Sequence, residues 1–437
     1  MHDFAYRNGE FYCEDVPLSW IAKEFGTPFY VYSHATLVRH FRALDSAFQH
    51  VPHIIAFAMK ANSNLAILRL MAREGSGADI VSGGELFRAL KADVPPSKIV
   101  FAGVGKTREE IRYALKSDIL MFNVESSDEL RAIDDVAAEL RLKARVALRV
   151  NPDVDPKTHP YISTGMKKSK FGISADRALE EFKLASSLKH IDVAGVHKHI
   201  GSQLTEISPF VDALKKVLEL VEQLKGQGIN LRYINIGGGL GITYSDETPP
   251  EPKDLSAALS PLLRDLKCTL IMEPGRVIVG NAGALVTKVL YQKASDVKRF
   301  VIVDAAMNDL LRPSLYGAYH DIKPVRETPA GKSVTVDVVG PVCESGDFLA
   351  KDRAMPEVKA GDLLAVMSAG AYGFVMASNY NSRPRVPEIL VRGKEVHIIR
   401  RRESLPDLVR GETIPAFLKT NAGAPPARSG LKLKRKK

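Results

Sequence analysis

From residue 54 onward, short apolar segments alternate with longer segments in which apolar residues recur every three or four positions. The first pattern is typical of buried strands and the second of amphipathic helices. The predicted strands are Ile54–Asn62, Ala78–Ser82, Ile99–Val104, Leu120–Glu125, Arg145–Pro152, Asp192–Ile200, Arg232–Gly238 and Leu270–Gly275. The predicted helices are Leu65–Glu74, Glu85–Lys91, Arg108–Lys116, Asp128–Leu140, Asp176–Leu188, Pro209–Lys225 and Leu255–Leu266. Eight such units predict an α/β fold with a (β/α)8 TIM-type barrel, and a doubly wound open sheet is the alternative.

After residue 280 the pattern changes to strand-like segments without long helices. These segments are Ala284–Tyr291, Arg299–Val303, Ser333–Val339, Leu363–Ser368, Glu388–Val391 and Glu395–Ile399. They predict a C-terminal β-sandwich or β-barrel domain. Residues 9–34 also have a β pattern, strongest at Phe29–Tyr32, so we expect the N-terminal strands to join that domain. The expected division is a barrel over 36–280, a β-domain over 1–35 and 281–418, and a flexible basic tail over 419–437.

The composition is that of a soluble globular protein, with 45% apolar and 26% charged residues among 437. The N-terminus lacks a secretory pattern, and no apolar run is long enough to cross a membrane. Cys13, Cys268 and Cys343 are few and widely separated, which argues against a disulfide framework or a zinc site. We therefore expect a cytoplasmic protein with no membrane partner.

The formal net charge of +10 raises the question of nucleic-acid binding. Six positive charges lie in residues 428–437, after the small-residue stretch 421–427, and account for more than half of that net charge. A short basic terminus of this kind is usually solvated. We therefore expect no nucleic-acid partner.

Several residues with chemical potential stand where barrel strands end, and those ends converge on one face. Lys60 follows the first strand; its amine either reaches solvent or, in a partly desolvated barrel mouth, forms a covalent link to an aldehyde cofactor. His199 ends the sixth strand in the segment His197-Lys198-His199. Two histidines at this spacing could bind a metal, but no acidic or cysteine partner accompanies them. We therefore favour ring stacking for His199, a structural role for His197, and no metal.

The last two strands are followed by further candidates. Gly237–Gly241 is either a tight turn or, in this position, a phosphate site built from backbone N–H groups. Glu273-Pro274-Gly275-Arg276 ends the eighth strand. Glu273 and Arg276 could form a structural ion pair. Alternatively, Glu273 faces a protonated pyridine nitrogen and Arg276 binds a carboxylate.

The second half of the chain contributes a guanidinium, a thiol, a carboxylate and two phenols in turn-rich segments. They are Arg312 and Tyr316 in Met307–Tyr316, Cys343 and Glu344 in Pro341–Asp347, and Tyr372 in Gly370–Gly373. A lone cysteine is usually a small core residue, and only a polar, accessible setting would make it a proton donor.

Taken in order, these segments resemble the alanine-racemase-like group of pyridoxal-phosphate (PLP) enzymes, and within it the diaminopimelate decarboxylases. The matching segments are Phe57–Asn64, Ser82–Glu85, His159–Gly172, His199–Gln203, Gly237–Gly239, Glu273–Arg276, Met307–Tyr316, Cys343–Asp347 and Ala371–Gly373. They span most of the chain and exclude the basic tail.

The resemblance implies that Lys60 carries PLP and that His199 stacks on its ring. It implies a phosphate site at Ser202, Gly239 and the backbone of Glu273, Pro274, Gly275 and Arg276, with the Glu273 side chain at the pyridine nitrogen. For the substrate, it implies that the distal carboxylate end is bound by Arg276, Arg312 and Tyr316, the distal amino group by Glu344, and both substrate and cofactor by Tyr372. Cys343 would protonate the carbanion. The resemblance also implies a homodimer whose active sites are shared between subunits.

The implied activity is decarboxylation of meso-2,6-diaminopimelate to L-lysine, the last step of lysine biosynthesis. Loss of CO2 leaves a carbanion that a protonated pyridinium delocalises, and Glu273 suits that nitrogen, where similar racemases have an arginine. Two alternatives remain: a related decarboxylase acting on carboxynorspermidine, ornithine or arginine, and a non-catalytic PLP-binding homologue. Lys60 and Cys343 are both present, which disfavours the second alternative.

Overall fold

The computed structural model describes residues 2–154, 170–264, 267–327 and 333–419, and all structural statements below concern these residues. Its strands, in chain order, are β1 Phe4–Arg7, β2 Glu10–Cys13, β3 Val16–Pro17, β4 Phe29–Ser33, β5 His53–Ala58, β6 Gly77–Ile80, β7 Ile99–Phe101, β8 Met121–Val124, β9 Ala144–Asn151, β10 Ile173–Ser174, β11 Ile191–His197, β12 Tyr233–Asn235, β13 Thr269–Met272, β14 Gly283–Ala294, β15 Arg299–Val303, β16 Ile322–Pro324, β17 Ser333–Val339, β18 Phe348–Pro356, β19 Leu363–Val366, β20 Glu388–Arg392 and β21 Glu395–Arg400.

The helices confirm the seven that the apolar periodicity predicts and add others. In chain order they are α1 Leu18–Phe25, α2 His34–Ala47, α3 Leu65–Arg73, α4 Gly83–Lys91, α5 Arg108–Lys116, α6 Ser127–Leu140, α7 Ala178–Ser187, α8 Ser208–Gly226, α9 Pro252–Leu263, α10 Arg276–Val279, α11 Arg312–Tyr316 and α12 Leu405–Leu408. The unpredicted α2 precedes the first barrel strand and packs beside α9 and α10, so it completes the outer ring of helices.

Eight parallel strands close into a barrel, as predicted. Their order is β5, β6, β7, β8, β9, β11, β12 and β13, and β13 pairs back onto β5 through Leu270–His53 and its neighbours. Closure rules out the open-sheet alternative. The interleaved helices cover the outside, and the carboxyl ends of all eight strands therefore meet at one face.

A second, mainly antiparallel sheet forms the β-domain. Its order is β18-β17-β15-β14-β4-β20-β21, with β19 also paired with β14 and β16 paired with β19. Strand β4 lies between β14 and β20, which confirms that an N-terminal strand belongs to this sheet. The β expectation for residues 9–34 is wrong at 18–25, which form α1, because Leu18 and Ile21 are spaced to bury one face of a helix. Strands β1–β3 form a separate three-stranded sheet.

Residues 155–169 lie outside the described residues and contain most of the predicted segment His159–Gly172. Residues 420–437 also lie outside them and contain nearly all of the predicted basic tail. None of the helices in the described ranges is both long and apolar enough to span a membrane.

Candidate active site

Lys60 and Asp79 meet at the mouth of the barrel. Lys60 lies two residues beyond β5, and its Nζ is 2.6 Å from Oδ2 of Asp79, which is fully buried in β6. Burial disfavours the charged amine, but Asp79, Tyr372 and Glu273 outweigh this effect and raise the pKa of Lys60 above its ordinary value. Burial and repulsion from Glu273 raise the pKa of Asp79 to about 7. Asp79 therefore favours the protonated form of the Lys60 amine.

Glu273 follows β13 and is held from three sides inside the barrel. Its Oε1 accepts hydrogen bonds from Asn123 Nδ2 at 2.9 Å and Asn235 Nδ2 at 2.6 Å, and its Oε2 lies 3.2 Å from His197 Nε2. Although burial alone would raise it, the pKa of Glu273 lies well below its ordinary value because His197, Lys60 and Asn235 favour the carboxylate. The site thus contains a fixed negative charge.

The glycine run forms a wall into which no side chain would fit. A Cβ at Gly238 would lie 2.1 Å from the Glu273 carbonyl oxygen. Gly239 has a φ of +125°, and a Cβ at this position would lie 2.5 Å from the Gly201 carbonyl oxygen. The Gly238 N–H donates to His199 Nδ1 at 3.3 Å. Burial, followed by Arg149 and Lys60, lowers the pKa of His199 well below its ordinary value, so its ring is neutral.

Arg276 begins α10 beside this wall and is buried. Its guanidinium donates to Ser202 Oγ at 3.1 Å and to the Tyr244 hydroxyl at 2.5 Å, and it lies 4.9 Å from the Tyr372 ring centroid. Tyr372 has a φ of +56°, and its N–H donates to the Ala61 carbonyl, one residue from Lys60. The structural ion pair between Arg276 and Glu273, one of the two alternatives for these residues, is absent from the described residues.

Arg312 begins α11 in the β-domain and is also buried. Its Nη1 lies 2.8 Å from His320 Nε2, and its Cζ lies 4.6 Å from the Tyr244 ring centroid. Tyr316, half-buried at the end of the same helix, acts electrostatically on Arg312. The two arginines therefore share Tyr244 as a common neighbour.

Cys343 and Glu344 lie apart from these residues, in an exposed turn. The Cys343 N–H donates to Asn381 Oδ1 at 2.9 Å, and Glu344 accepts from the Tyr380 hydroxyl at 3.3 Å. Within one described chain, these two residues make no hydrogen bond to the residues around Lys60.

Comparison with known proteins identifies the family. Residues 34–280 match the family model described as the pyridoxal-binding domain of pyridoxal-dependent decarboxylases. Diaminopimelate decarboxylase from Pseudomonas aeruginosa is 53% identical over 95% of this chain and 99% of its own length, and that from Vibrio cholerae is 53% identical with the same coverage. The chain belongs to the diaminopimelate decarboxylase family.

Solved structures of diaminopimelate decarboxylases have the same fold. The M. jannaschii enzyme in complex with L-lysine aligns with a TM-score of 0.91 at 42% identity, covering 96% of this chain and 100% of its own. The Helicobacter pylori enzyme with L-lysine aligns with a TM-score of 0.87 at 46% identity, covering 90% and 98%. The family predicted from the sequence motifs is confirmed.

Membership of this family brings pyridoxal phosphate as the cofactor, and the residues at the barrel mouth of this diaminopimelate decarboxylase family member fit it. A 37% exposed Lys60 side chain is available to an aldehyde, and a buried carboxylate at Glu273 can face a ring nitrogen. The half-buried Gly238 and Gly239 offer backbone without side chains for a phosphate. In addition, Asp79 Oδ1 is buried without a hydrogen-bond partner among the described residues. No cluster of metal-ligating side chains occurs in the described ranges of the chain.

Five residues that contact the predicted site residues were not themselves predicted as part of the site: Asp79, Asn123, Asn235, Tyr244 and His320. Three of them carried a signal, because Asp79, Asn123 and Asn235 are polar residues inside otherwise apolar barrel strands. His197, interpreted as structural, contacts the Glu273 side chain through Nε2.

Proposed function

We propose that this chain decarboxylates meso-2,6-diaminopimelate to L-lysine and CO2, the last step of lysine biosynthesis. The observation that carries this proposal is the pair of buried guanidiniums, Arg276 and Arg312, which share Tyr244 as a neighbour. Arg276 also contacts Tyr372, whose N–H donates to the residue after Lys60. Neither arginine is paired with a carboxylate in the described part of the chain. A substrate with a second carboxylate would supply that missing negative charge. L-Lysine, which keeps that carboxylate, is the ligand in the M. jannaschii and H. pylori structures.

When bound, pyridoxal phosphate supplies an electron-withdrawing ring that delocalises the charge left on the substrate's α-carbon as CO2 departs. Lys60 would anchor the cofactor's aldehyde, and Asp79 would orient the Lys60 amine, because their polar atoms are 2.6 Å apart. The Glu273 carboxylate would keep a proton on the pyridine nitrogen, since its own pKa is too low for it to take that proton.

The remaining cofactor contacts are proposed from position. Ser202, Gly239 and the backbone of Glu273, Pro274, Gly275 and Arg276 would hold the phosphate, and neutral His199 would lie against the ring. Hydrogen bonds through the backbone suit this task because glycine lets an anion approach closely. Tyr372 would contact cofactor and substrate, and its ring already lies against Arg276.

At the other end of the substrate, Arg276, Arg312 and Tyr316 would bind the distal carboxylate, and Glu344 would bind the distal ammonium. Charge-assisted contacts of both signs would select an amino acid at the distal end over a simple amine. Turnover of meso-diaminopimelate, with carboxynorspermidine, ornithine and arginine in parallel, tests the substrate. A preference for any of the other three would refute the proposal.

We further propose a homodimer in which Cys343 and Glu344 of a second copy complete each site, with the Cys343 thiol protonating the α-carbon. The exposure of this turn within one chain supports the proposal, because a proton donor must reach the substrate. Two inactive variants, Lys60→Ala and Cys343→Ala, should be unfolded and refolded together. If sites are shared, mixed dimers carry one intact site, and activity recovers to roughly a quarter of wild type. No recovery, with mixed dimers shown to form, would refute the shared site alone.

The expected domain division, with a barrel over 36–280 and a β-domain over 1–35 and 281–418, remains a proposal, as does a cytoplasmic location. The three free cysteines support the location, since none is engaged in a disulfide.

A further inference from the structure

Two buried residues outside the predicted site, Tyr244 and His320, connect the two arginines into one array. In chain order the array is Tyr244, Arg276, Arg312 and His320. All four side chains are at least nine-tenths buried. Its members come from four segments, and Arg312 and His320 belong to the β-domain whereas Arg276 follows the last barrel strand. The array therefore spans the junction between the two domains.

His320 binds Arg312 without cancelling its charge. Arg312 Nη1 donates to His320 Nε2 at 2.8 Å, and His320 Nδ1 donates to the Met367 carbonyl at 2.8 Å. This pattern requires the neutral ring with its proton on Nδ1. Burial and the adjacent Arg312 lower the pKa of His320 to about 3, which is consistent with that state. A carboxylate at the same position would satisfy the same hydrogen bond but would neutralise the guanidinium.

Tyr244 contacts both arginines with different parts of its side chain. Its hydroxyl accepts from Arg276 Nη1 at 2.5 Å, its ring face lies 4.6 Å from Arg312 Cζ, and its ring meets His320 edge-to-face at 5.3 Å. The loop that carries Tyr244 is fixed by Gln203, whose side chain exchanges hydrogen bonds with both backbone groups of Ile242. Tyr244 thus sets the spacing of the two cations.

The array holds two like charges close together in a desolvated place, which costs free energy unless an anion joins them. Burial and repulsion from Arg276 lower the pKa of Arg312. All of the partners described above are neutral, so the positive charge stays available. We propose that Tyr244 and His320 are specificity-determining positioning residues. They hold Arg276 and Arg312 together without neutralising their positive charges, so that the pair selects the substrate's distal carboxylate. This inference rests on the proposed function.

The test uses holoenzyme and two ligands that differ only in that carboxylate, L-lysine and 1,5-diaminopentane. Calorimetry gives the ratio of their dissociation constants, and steady-state decarboxylation of diaminopimelate gives kcat and KM separately. His320→Glu and His320→Gln are matched in shape and differ in charge. His320→Glu should weaken L-lysine binding roughly 10- to 100-fold with little effect on 1,5-diaminopentane, whereas His320→Gln should keep the ratio within about threefold.

Tyr244→Phe keeps the ring and removes the hydroxyl that Arg276 contacts. We expect KM for diaminopimelate and the dissociation constant for L-lysine to rise roughly tenfold, with kcat nearly unchanged. Tyr6→Phe is the control, because it removes a single tyrosine hydrogen bond, to the Pro324 carbonyl, in the separate N-terminal sheet. If His320→Glu does not fold, the comparison of Tyr244→Phe with Tyr6→Phe tests the inference.

Unchanged ligand ratios in folded His320→Glu and in Tyr244→Phe would overturn the inference. Wild-type protein that does not turn over diaminopimelate would instead overturn the proposed function. In that case, a wild-type preference for L-lysine over 1,5-diaminopentane that decreases in Tyr244→Phe would still support a carboxylate-selecting array.

Discussion

Replacing Glu273 by glutamine isolates the contribution of one charge. The amide oxygen can still accept from Asn123 and Asn235, and the amide nitrogen can face His197 Nε2, so the barrel should keep its packing. What is lost is the negative charge opposite the cofactor's ring nitrogen. We therefore expect a protein that folds and binds the cofactor but decarboxylates poorly.

The magnitude follows from the burial of the carboxylate. Two unit charges 4 Å apart attract by about 4 kcal/mol at an effective dielectric constant near 20. Since about 1.4 kcal/mol corresponds to a factor of ten in rate, kcat should fall roughly 10³-fold if this attraction is needed in the transition state.

The assay is CO2 release at saturating diaminopimelate, with cofactor content measured by absorbance and the Tm by thermal unfolding. Glu181→Gln is the matched control, because Glu181 is also buried and accepts hydrogen bonds from Ser127 and Arg177, but it lies on an outer helix. That control should keep its kcat. A near-native kcat for Glu273→Gln at full cofactor occupancy would refute the reasoning and leave Glu273 as a structural partner of its three neighbours.

Three other substitutions and one pH series test the remaining groups. Lys60→Ala should abolish turnover without unfolding, because the cofactor loses its covalent anchor; steady-state CO2 release at the normal rate would contradict this. Asp79→Asn should let Lys60 deprotonate at lower pH, so the pH profile of cofactor reattachment to the apoenzyme should shift to lower pH; an unmoved profile would count against their coupling. Arg312→Ala should lower kcat/KM for diaminopimelate by roughly 10²-fold, and undiminished selectivity would place the distal site elsewhere. Because the pKa of His320 is lowered to about 3, its contribution to stability is present above pH 6.5 and is lost as pH falls towards 3. The Tm gap between wild type and His320→Gln should therefore narrow between pH 6.5 and 4.5, and a constant gap would show that His320 is not held neutral.

The barrel could be predicted because parallel strands buried on both faces are continuous apolar runs, and eight of them occur in order. Helix α2 was missed because it precedes the first strand, where the alternation gives no cue. Strand β18 was missed because its apolar start, Phe348–Ala350, is short and is followed by three charged residues, Lys351, Asp352 and Arg353. Exposed edge strands often carry such charges.

The site was predictable where chemistry coincides with a strand end, as at Lys60 and Glu273. Asp79 shows the limit: it stands between Ala78 and Ile80, and its importance depends on an amine 19 residues away across a strand pair. Tyr244 and His320 lie 76 positions apart, so their shared contact is a product of tertiary packing alone. The role proposed for Cys343 depends on a second copy of the chain, which the apolar pattern of one sequence does not describe.

The position of β4 between β14 and β20 has a consequence for how the chain is made. Residues 29–33 leave the ribosome early, yet one neighbouring strand begins at Gly283 and the other at Glu388. All eight barrel strands are complete in the chain before either neighbour exists, so the barrel can assemble first during synthesis. The β-domain must then close by long-range pairing, which is slow. A nascent chain stopped before residue 388 would leave one edge of β4 unpaired and open to aggregation.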